Sequence, residues 1–303
     1  MAAPERSARR PVDAIALKRV QHRLQAADTA PWLHGEVARR MAERFLVIKL
    51  RPERIIDWGA FLGASRALLA ATYPRARVIA VEPGGSRRDA TAAALAAPWW
   101  SPRRWAAAGR GAVEEADLAA GEGELLWSNM ALHGAIDPQA VFGAWHRALR
   151  TDGFLMFSTL GPVTLESLRS LYAALGWPVP HAPFVDMHDL GDMLVAAGFA
   201  DPVMDQETLT LTWPSGEALL AELRQLGGNV DPRRYAGLRT PRWRRRLVQA
   251  LESAAGPGGR PGLAFEVVYG HAFRPAPRPR VAAETALPLD DMRRMIRAGR
   301  RSG

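Results

Sequence analysis

The stretch that decides the fold is Arg54-Ile55-Ile56-Asp57-Trp58-Gly59-Ala60-Phe61-Leu62-Gly63. Its first half is a short run with β-branched residues that is typical of a strand, and it ends at an acid and a turn with two glycines. A helical pattern over residues 65–72 follows, and a second apolar run over residues 77–81 ends at Glu82. Strand, glycine-bearing turn, helix and strand in this order begin a parallel α/β sheet.

The same alternation continues along the chain. It predicts further strands over residues 124–127, 154–157, 202–211 and 263–273, and helices over residues 86–96, 138–149, 165–175 and 187–197. Thr164 and Asp186 are the predicted N-caps of the last two of these helices. Two basic amphipathic helices are predicted between residues 215 and 259. The sequence therefore predicts an α/β, Rossmann-like fold.

Three further segments surround or interrupt the predicted sheet. Residues 1–50 form a helical arm, with helices over residues 14–27 and 36–45, and residues 51–274 form the α/β domain. A helical cap is inserted in this domain at about residues 213–260. Residues 275–303 are rich in arginine and proline and are predicted to be a basic, disordered tail.

A cofactor site is predicted where the first two strands end. Glycines such as Gly59 and Gly63 let the backbone approach an anionic group at the start of the next helix. Glu82 lies 23 residues beyond Gly59, the distance at which an acid accepts hydrogen bonds from ribose hydroxyls. The plainer alternative is a tight strand-to-helix turn followed by a surface carboxylate.

Two more groups of polar residues belong to this predicted site. Asp57 opens the turn, and Ser128-Asn129 closes a later strand at the sheet edge where ligands of open α/β sheets bind. The seven histidines show no metal-ligand spacing, so no metal site is predicted.

Composition excludes several classes of protein. The chain of 303 residues has no cysteine, which excludes disulfide scaffolds, thiolate zinc sites and cysteine nucleophiles. Its net charge of +9 is uneven: residues 271–303 carry +5 and residues 1–12 carry +2, so residues 13–270 carry only +2. The basic ends are either solvated tails or segments that bind a polyanion.

No membrane segment is expected from the sequence. No stretch approaches the roughly 18 consecutive apolar residues of a membrane span. Residues 1–11 are polar and lack the apolar core of a secretory signal. We expect a cytoplasmic protein.

Four stretches carry a specific resemblance to a known family. They are Trp127-Ser128-Asn129-Met130-Ala131-Leu132-His133, Phe157-Ser158-Thr159-Leu160-Gly161-Pro162, Phe184-Val185-Asp186-Met187-His188-Asp189-Leu190-Gly191-Asp192 and Phe265-Glu266-Val267-Val268-Tyr269-Gly270-His271-Ala272. With the order of elements, they resemble the BioC-type malonyl-acyl-carrier-protein O-methyltransferases of biotin synthesis. These are class I S-adenosylmethionine-dependent methyltransferases.

The resemblance implies a fold, a cofactor and a substrate. The fold is a mostly parallel seven-stranded sheet with helices on both faces. The cofactor is S-adenosylmethionine, and the substrate and partner is malonyl-acyl-carrier protein. The implied reaction methylates the free carboxylate of the malonyl group, which masks a charge while the chain is extended towards the pimeloyl precursor of biotin.

This chemistry asks little of catalytic side chains. A carboxylate is ionised at neutral pH, so no general base is needed and no catalytic residue is predicted. Candidates for holding the malonyl carboxylate or the acidic carrier are His133, beside the predicted site, and arginines of the cap. The arginines are Arg224, Arg233, Arg242 and Arg245, together with Arg234, Arg244 and Arg246. The alternative for these arginines is the solvated face of the cap helices.

Two departures from the family pattern support a second hypothesis. Phe61 stands where family members usually carry a glycine, and Ala112 stands sixteen residues before Ser128, where an acid near the adenine is expected. On this hypothesis the chain is a catalytically degenerate protein that keeps the fold and binds a carrier or another partner.

A third hypothesis rests on charge. An RNA methyltransferase could use the arginine-rich tails to bind nucleic acid, and aromatic residues interleaved with arginines, Trp99, Trp100 and Trp105, could stack on bases. A loop that folds its aromatic side chains onto the sheet is the plainer interpretation, and nucleic acid is not the favoured partner.

Overall fold

The computed structural model describes residues 9–45, 51–95, 111–256 and 258–276. Its strands form one seven-stranded sheet in the order β3-β2-β1-β4-β5-β7-β6. Strands β1 to β5 all run parallel to one another, and β7 runs antiparallel to its two neighbours, β5 and β6. The strands are β1 Arg54–Trp58, β2 Arg77–Glu82, β3 Ala112–Glu114, β4 Gly123–Ser128, β5 Leu149–Leu160, β6 Ala200–Thr212 and β7 Gly262–Phe273.

Helices cover both faces of this sheet because successive strand residues point to opposite sides. Ile55 and Leu125 pack on one face, with α2, α4, α7, α9 and α10. Ile56 and Leu126 pack on the other face, with α6 and α8. The helices are α1 Ala14–Gln25, α2 Trp32–Phe45, α3 Ala60–Gly63, α4 Arg66–Thr72, α5 Gly85–Leu95, α6 Pro138–Ala148, α7 Glu166–Ala174, α8 Met187–Ala196, α9 Gly216–Leu226 and α10 Pro241–Ser253. The predicted mostly parallel α/β fold is confirmed.

The N-terminal arm packs onto the rest of the molecule at several places. On α1, Leu17 is buried with Ala182 and Val230, which belong to the segments before α8 and after α9. On α2, the guanidinium of Arg40 pairs with Glu207 of β6 at 2.9 Å. Asn129, directly after β4, donates to the carbonyl of His34, so the arm also reaches the edge of the sheet where β4 ends.

Helices α9 and α10 lie between β6 and β7. Each begins at a hydroxyl cap: Ser215 accepts the N–H of Ala218, and Thr240 accepts the N–H of Trp243, both at 3.2 Å. They occupy the segment that was predicted as the cap. The limits of the cap at about residues 213–260, and those of the other predicted segments, stay a prediction.

Several local predictions need correction. Strand β3 was not predicted, and α2 begins at Trp32 instead of residue 36. Thr164 is not an N-cap, since its hydroxyl donates to the Glu266 carbonyl at 3.0 Å, and the cap position is taken by Leu165 with a φ of +59°. Asp186 does cap α8 by accepting the N–H of His188 at 2.8 Å.

Some predictions fall outside the described residues, namely the tryptophan platform and most of the tail over 275–303. Within the described ranges, no helix is long and apolar enough to cross a membrane. The same ranges contain no group of three metal-ligating side chains.

Candidate functional site

Two adjoining cavities open where the parallel strands end. The first, cavity A, has a volume of about 250 Å³ and is lined by the ends of β1 and β2, by residues 130–135 after β4 and by residues of the arm. It lies where the strand order reverses, because β1 has β2 on one side and β4 on the other. Ligands of open α/β sheets bind at such a switch point. Cavity A therefore occupies the position predicted for the cofactor.

Gly59 shapes the turn below cavity A and forms part of its wall. Its φ of +71° lies in the left-handed region that glycine adopts without steric cost. Its N–H donates to the Val81 carbonyl, and its own carbonyl accepts the N–H of Gly63, both at 2.8 Å. Gly63 is buried behind the turn and does not contribute to the wall. Gly59 thus lets a ligand approach the backbone, while Gly63 supports the turn.

The aromatic ring of Phe61 leaves cavity A open. It is not part of the wall, and the guanidinium of Arg87 lies over it, 3.6 Å from the ring centre. Arg87 also donates to the carbonyls of Gln25 and Ala27, at the end of α1. The departure from glycine at Phe61 therefore serves to attach the arm and does not obstruct the cavity.

Glu82 presents a free acceptor to cavity A. Its side chain is buried, and Oε1 accepts the N–H of Phe61 at 2.8 Å and the hydroxyl of Thr91 at 2.9 Å. Oε2 is buried and has no hydrogen-bond partner in the described structure. Burial raises the pKa of this carboxyl. Because an unpaired buried acceptor is costly, a ligand that donates hydroxyl protons, such as a ribose, fits this position.

Residue 112, where an acid was expected, is an alanine at the start of β3. A second carboxylate besides Glu82 lines cavity A, that of Glu115, three residues after Ala112.

Asp57 is fully buried at the end of β1 and is not part of the wall of cavity A. Its Oδ1 has no partner among the described residues. Burial, with a smaller contribution from the charge of Glu82, raises the pKa of Asp57 to about 8. The carboxyl is thus protonated at neutral pH and supports the turn from behind.

This raised pKa predicts a pH-dependent stability. The unfolded carboxyl loses its proton above a pKa of about 3.8, whereas the folded one keeps it to about 8. Between these values unfolding releases a proton, so the free energy of unfolding should fall as pH rises, by up to about 1.4 kcal/mol per unit. Asp57→Asn should remove this slope and raise the stability at pH 7. Thermal unfolding from pH 5 to 9 measures it, with exposed Asp192→Asn as the control. Equal slopes in wild type and Asp57→Asn would contradict the prediction.

Ser128 and Asn129 close β4 but do not line either cavity. The amide nitrogen of Asn129 donates to the carbonyls of His34 and Gly63, both at 2.7 Å, and its oxygen accepts the Ser158 hydroxyl at 2.7 Å. All three bonds are buried, so the Asn129 side chain has no donor left for a ligand. The geometry gives it a positioning role: it joins the arm, the glycine turn and β5.

Cavity B has a volume of about 460 Å³ and lies between α1, α9, α10 and residues 180–184. Its wall is mainly leucine and aromatic side chains, with the cationic side chains of Arg10, Arg23, Arg224 and Arg244. An apolar pocket with a few polar groups is suited to a flexible, mostly apolar substrate.

The two cavities share part of their walls. Five residues line both of them: Gln21, Leu24, His133, Gly134 and Leu226. His133 was predicted near the substrate and lies at this junction. Its ring nitrogen Nδ1 is buried, and enclosure lowers the pKa of His133 to about 3, so the imidazole is neutral. The junction is where a group held in one cavity meets a group held in the other.

The predicted arginines are not all at the site. Arg224 and Arg244 line cavity B, whereas Arg242 and Arg245 are exposed on α10 outside both walls. Arg233 donates to both carboxylate oxygens of Asp231, at 3.1 and 3.0 Å, and does not reach either cavity.

Several polar wall residues were not predicted from the sequence, among them Arg10, Gln21, His34 and Glu115. Arg10 was counted with the basic N-terminal end, and no motif marks Gln21 or His34. Packing of the arm brings these three residues to the cavities, so no local spacing in the sequence identifies them.

The chain is similar in sequence to several proteins with one common name. No protein-family model matches it. It is 40% identical over 259 residues to the malonyl-[acyl-carrier protein] O-methyltransferase of Laribacter hongkongensis, covering 84% of this chain and 86% of the relative. It is 39% identical over 257 residues to that of Gallionella capsiferriformans, covering 83% and 87%.

The fold is also found among solved structures. The YcgJ protein of Bacillus subtilis matches with a TM-score of 0.53 at 10% identity, over 79% of this chain and 99% of that one. At this identity the likeness shows the fold alone.

Proposed function

The chain belongs to the malonyl-[acyl-carrier protein] O-methyltransferase family, and from this premise we propose that it methylates the free carboxylate of malonyl-acyl-carrier protein in biotin synthesis. The observation that carries the proposal is the pair of cavities that meet at Gln21, His133 and Gly134. One has a buried, unpaired carboxylate oxygen for a ribose, and the other is apolar with cationic side chains.

Cavity A fits S-adenosylmethionine. Glu82 would accept the ribose hydroxyls, Gly59 would admit the ligand close to the backbone, and Glu115 lies on the segment expected to face the adenine. When bound, S-adenosylmethionine would supply an electrophilic methyl carbon on a sulfonium, whose leaving group is the neutral thioether sulfur. Because Phe61 leaves cavity A open, the hypothesis of a catalytically degenerate protein is not favoured.

The protein itself contributes by positioning the two reactants and by enclosing them away from water. The malonyl carboxylate is ionised without a base, so the side chains at the junction have to align it and exclude water. Correct alignment of two reactants is worth up to roughly 7–11 kcal/mol of the barrier. Neutral His133 and the leucines around it form a surrounding with low polarity, in which opposite charges neutralise each other readily.

We assign carrier binding to the arginines around cavity B. Arg23, Arg224 and Arg244 line it, and Arg242 and Arg245 extend the cationic surface along α10. Such a surface attracts an acidic carrier protein. Arg244 is ion-paired with Glu217 but lines cavity B, whereas Arg233 is paired with Asp231 and lines neither cavity, so Arg233 is not part of this assignment.

Incubation with S-adenosylmethionine and malonyl-carrier protein tests the function. We expect mass spectrometry to show one added methyl group on malonyl-carrier protein and no change of acetyl-carrier protein. Bound S-adenosylmethionine at 100 times its Kd should stabilise the fold by about 2.7 kcal/mol, measurable by thermal unfolding. Absence of both ester and stabilisation would support the degenerate alternative instead.

Two remaining hypotheses stay predictions. One is the cytoplasmic location of the protein. RNA binding by the tails depends on residues 275–303, which lie almost entirely outside the described ranges.

A further inference from the structure

One arginine of the arm is buried without a counter-charge. Arg10 is only 8% exposed and lines cavity B. Its guanidinium donates to three main-chain carbonyls, those of His133, of Ala135 at 3.2 Å and of Pro183 at 2.9 Å. It forms no ion pair with a carboxylate of the described residues, and its Nε–H is buried and unpartnered.

The surroundings hold the guanidinium in one orientation. Phe184 lies 5.8 Å from it, and this ring is also stacked on His181 and in edge contact with His133. His181 Nε2 and His133 Nδ1 are buried and lack partners. The imidazole of His181 has its other nitrogen 2.8 Å from the Ala182 carbonyl, which fixes the ring. Three residues that line cavity B thus each carry a buried nitrogen without a hydrogen-bond partner.

A buried cation whose protein partners are all neutral is costly. Carbonyl dipoles compensate only part of the lost hydration, and burial lowers the pKa of Arg10 to about 10. An anion that enters cavity B would supply the missing charge. A carboxylate suits the site, because it accepts two parallel hydrogen bonds from one edge of a guanidinium.

The position of Arg10 points to the reacting end of the substrate. Its carbonyl partners on His133 and Ala135 flank Gly134, and all three residues line cavity A as well. An anion held by Arg10 therefore lies beside the junction of the two cavities. Arg23, in contrast, is exposed, and it donates to the carbonyls of Arg224 and Gly227.

We propose that Arg10 is the carboxylate-binding residue of cavity B and selects an acyl thioester with a free terminal carboxylate. The proposal rests on the proposed function, since that carboxylate is the group to be methylated. Esterification removes the negative charge, so the same contact also distinguishes product from substrate and favours product release.

Binding of small thioesters tests this directly, without S-adenosylmethionine. Malonyl-pantetheine and acetyl-pantetheine differ by the carboxylate alone. Wild type should bind malonyl-pantetheine more tightly than acetyl-pantetheine or the malonyl methyl ester. Charge-assisted hydrogen bonds of this kind correspond to about a 10- to 100-fold preference. Arg10→Gln should lose the preference and keep its affinity for acetyl-pantetheine.

Two further variants make the result decisive. Arg274→Gln is the matched control, because Arg274 also donates to main-chain carbonyls but lies outside both cavities, and it should retain the full preference. Arg10→Lys keeps a cation if Arg10→Gln folds poorly, and it should show a reduced preference because it lacks the planar pair of donors.

The outcomes separate this proposal from the proposed function. If the wild type forms the methyl ester and Arg10→Gln still prefers malonyl-pantetheine, the role of Arg10 is overturned while the function stands. If the preference depends on Arg10 but no ester forms, the carboxylate site stands and the function fails. A wild type without preference overturns the carboxylate site.

Discussion

Replacement of Glu82 by alanine is expected to weaken S-adenosylmethionine binding by about 100-fold or more, because two hydrogen bonds to a charged acceptor contribute about 1.5–3 kcal/mol each. Glu82 lines cavity A, and its Oε2 is a buried acceptor without a partner among the described residues. Oε1 fixes the N–H of Phe61 and so holds the glycine turn in place. Alanine removes both functions at once. Calorimetric titration with S-adenosylmethionine measures the loss.

Two variants control this experiment. Glu82→Gln keeps an oxygen for the turn but replaces one acceptor by a donor, so an intermediate loss is expected. Glu114→Ala removes the carboxylate at the register partner of Glu82 on β3, which pairs with Arg88 and is not part of the cavity wall. It should bind the cofactor as the wild type does. An unchanged affinity in Glu82→Ala would show that cavity A is not the cofactor site.

The cofactor side of the molecule is predictable because its signals are local. Strand β1, Gly59 and Glu82 lie within one strand–turn–helix–strand unit, where the backbone path follows from the residue types. The turn at Gly59 and the position of Glu82 at the end of β2 were both expected, and the structure has them there.

The effect of Phe61 was not predictable, because it depends on a residue elsewhere. A Cβ at this position is compatible with an open cavity only because the ring turns towards Arg87, which in turn holds the end of α1. Likewise, Thr164 has the sequence of an N-cap, but its hydroxyl bonds to Glu266, 102 residues away. Local propensity is overridden wherever a tertiary partner offers a better hydrogen bond.

The substrate side depends on such distant partners almost entirely. Arg10 is separated from its carbonyl partners by 123 to 173 residues, and carbonyl acceptors leave no mark in a sequence. The cap arginines were visible as a charge pattern, yet a pattern does not show that Arg233 is neutralised by Asp231 whereas Arg224 lines cavity B. Charge counts therefore indicate a binding surface but not the residue that binds.

A substitution at the junction of the two cavities is the second change from which we expect a large effect. Gly134 lines both cavities, and a Cβ built on it has a single neighbour within 4 Å, the amide nitrogen of Gln21 at 3.7 Å. A Cβ therefore fits here at ordinary van der Waals distance, and a larger side chain would extend into the space that the two cavities share. Methyl transfer by Gly134→Phe should fall by about 100-fold or more, because a displacement of about 1 Å between reactants has that effect.

To test this prediction, the rate of methyl transfer has to be measured separately from the affinities for the cofactor and the carrier. Gly134→Ala adds only the methyl group that the structure admits and should keep most of the activity. For Gly134→Phe, single-turnover methylation at saturating cofactor and carrier isolates the transfer step, and separate titrations report the two affinities. A normal single-turnover rate would mean that the methyl group does not pass between the cavities at Gly134. A slow rate with intact affinities would place the transfer where the walls of the two cavities meet.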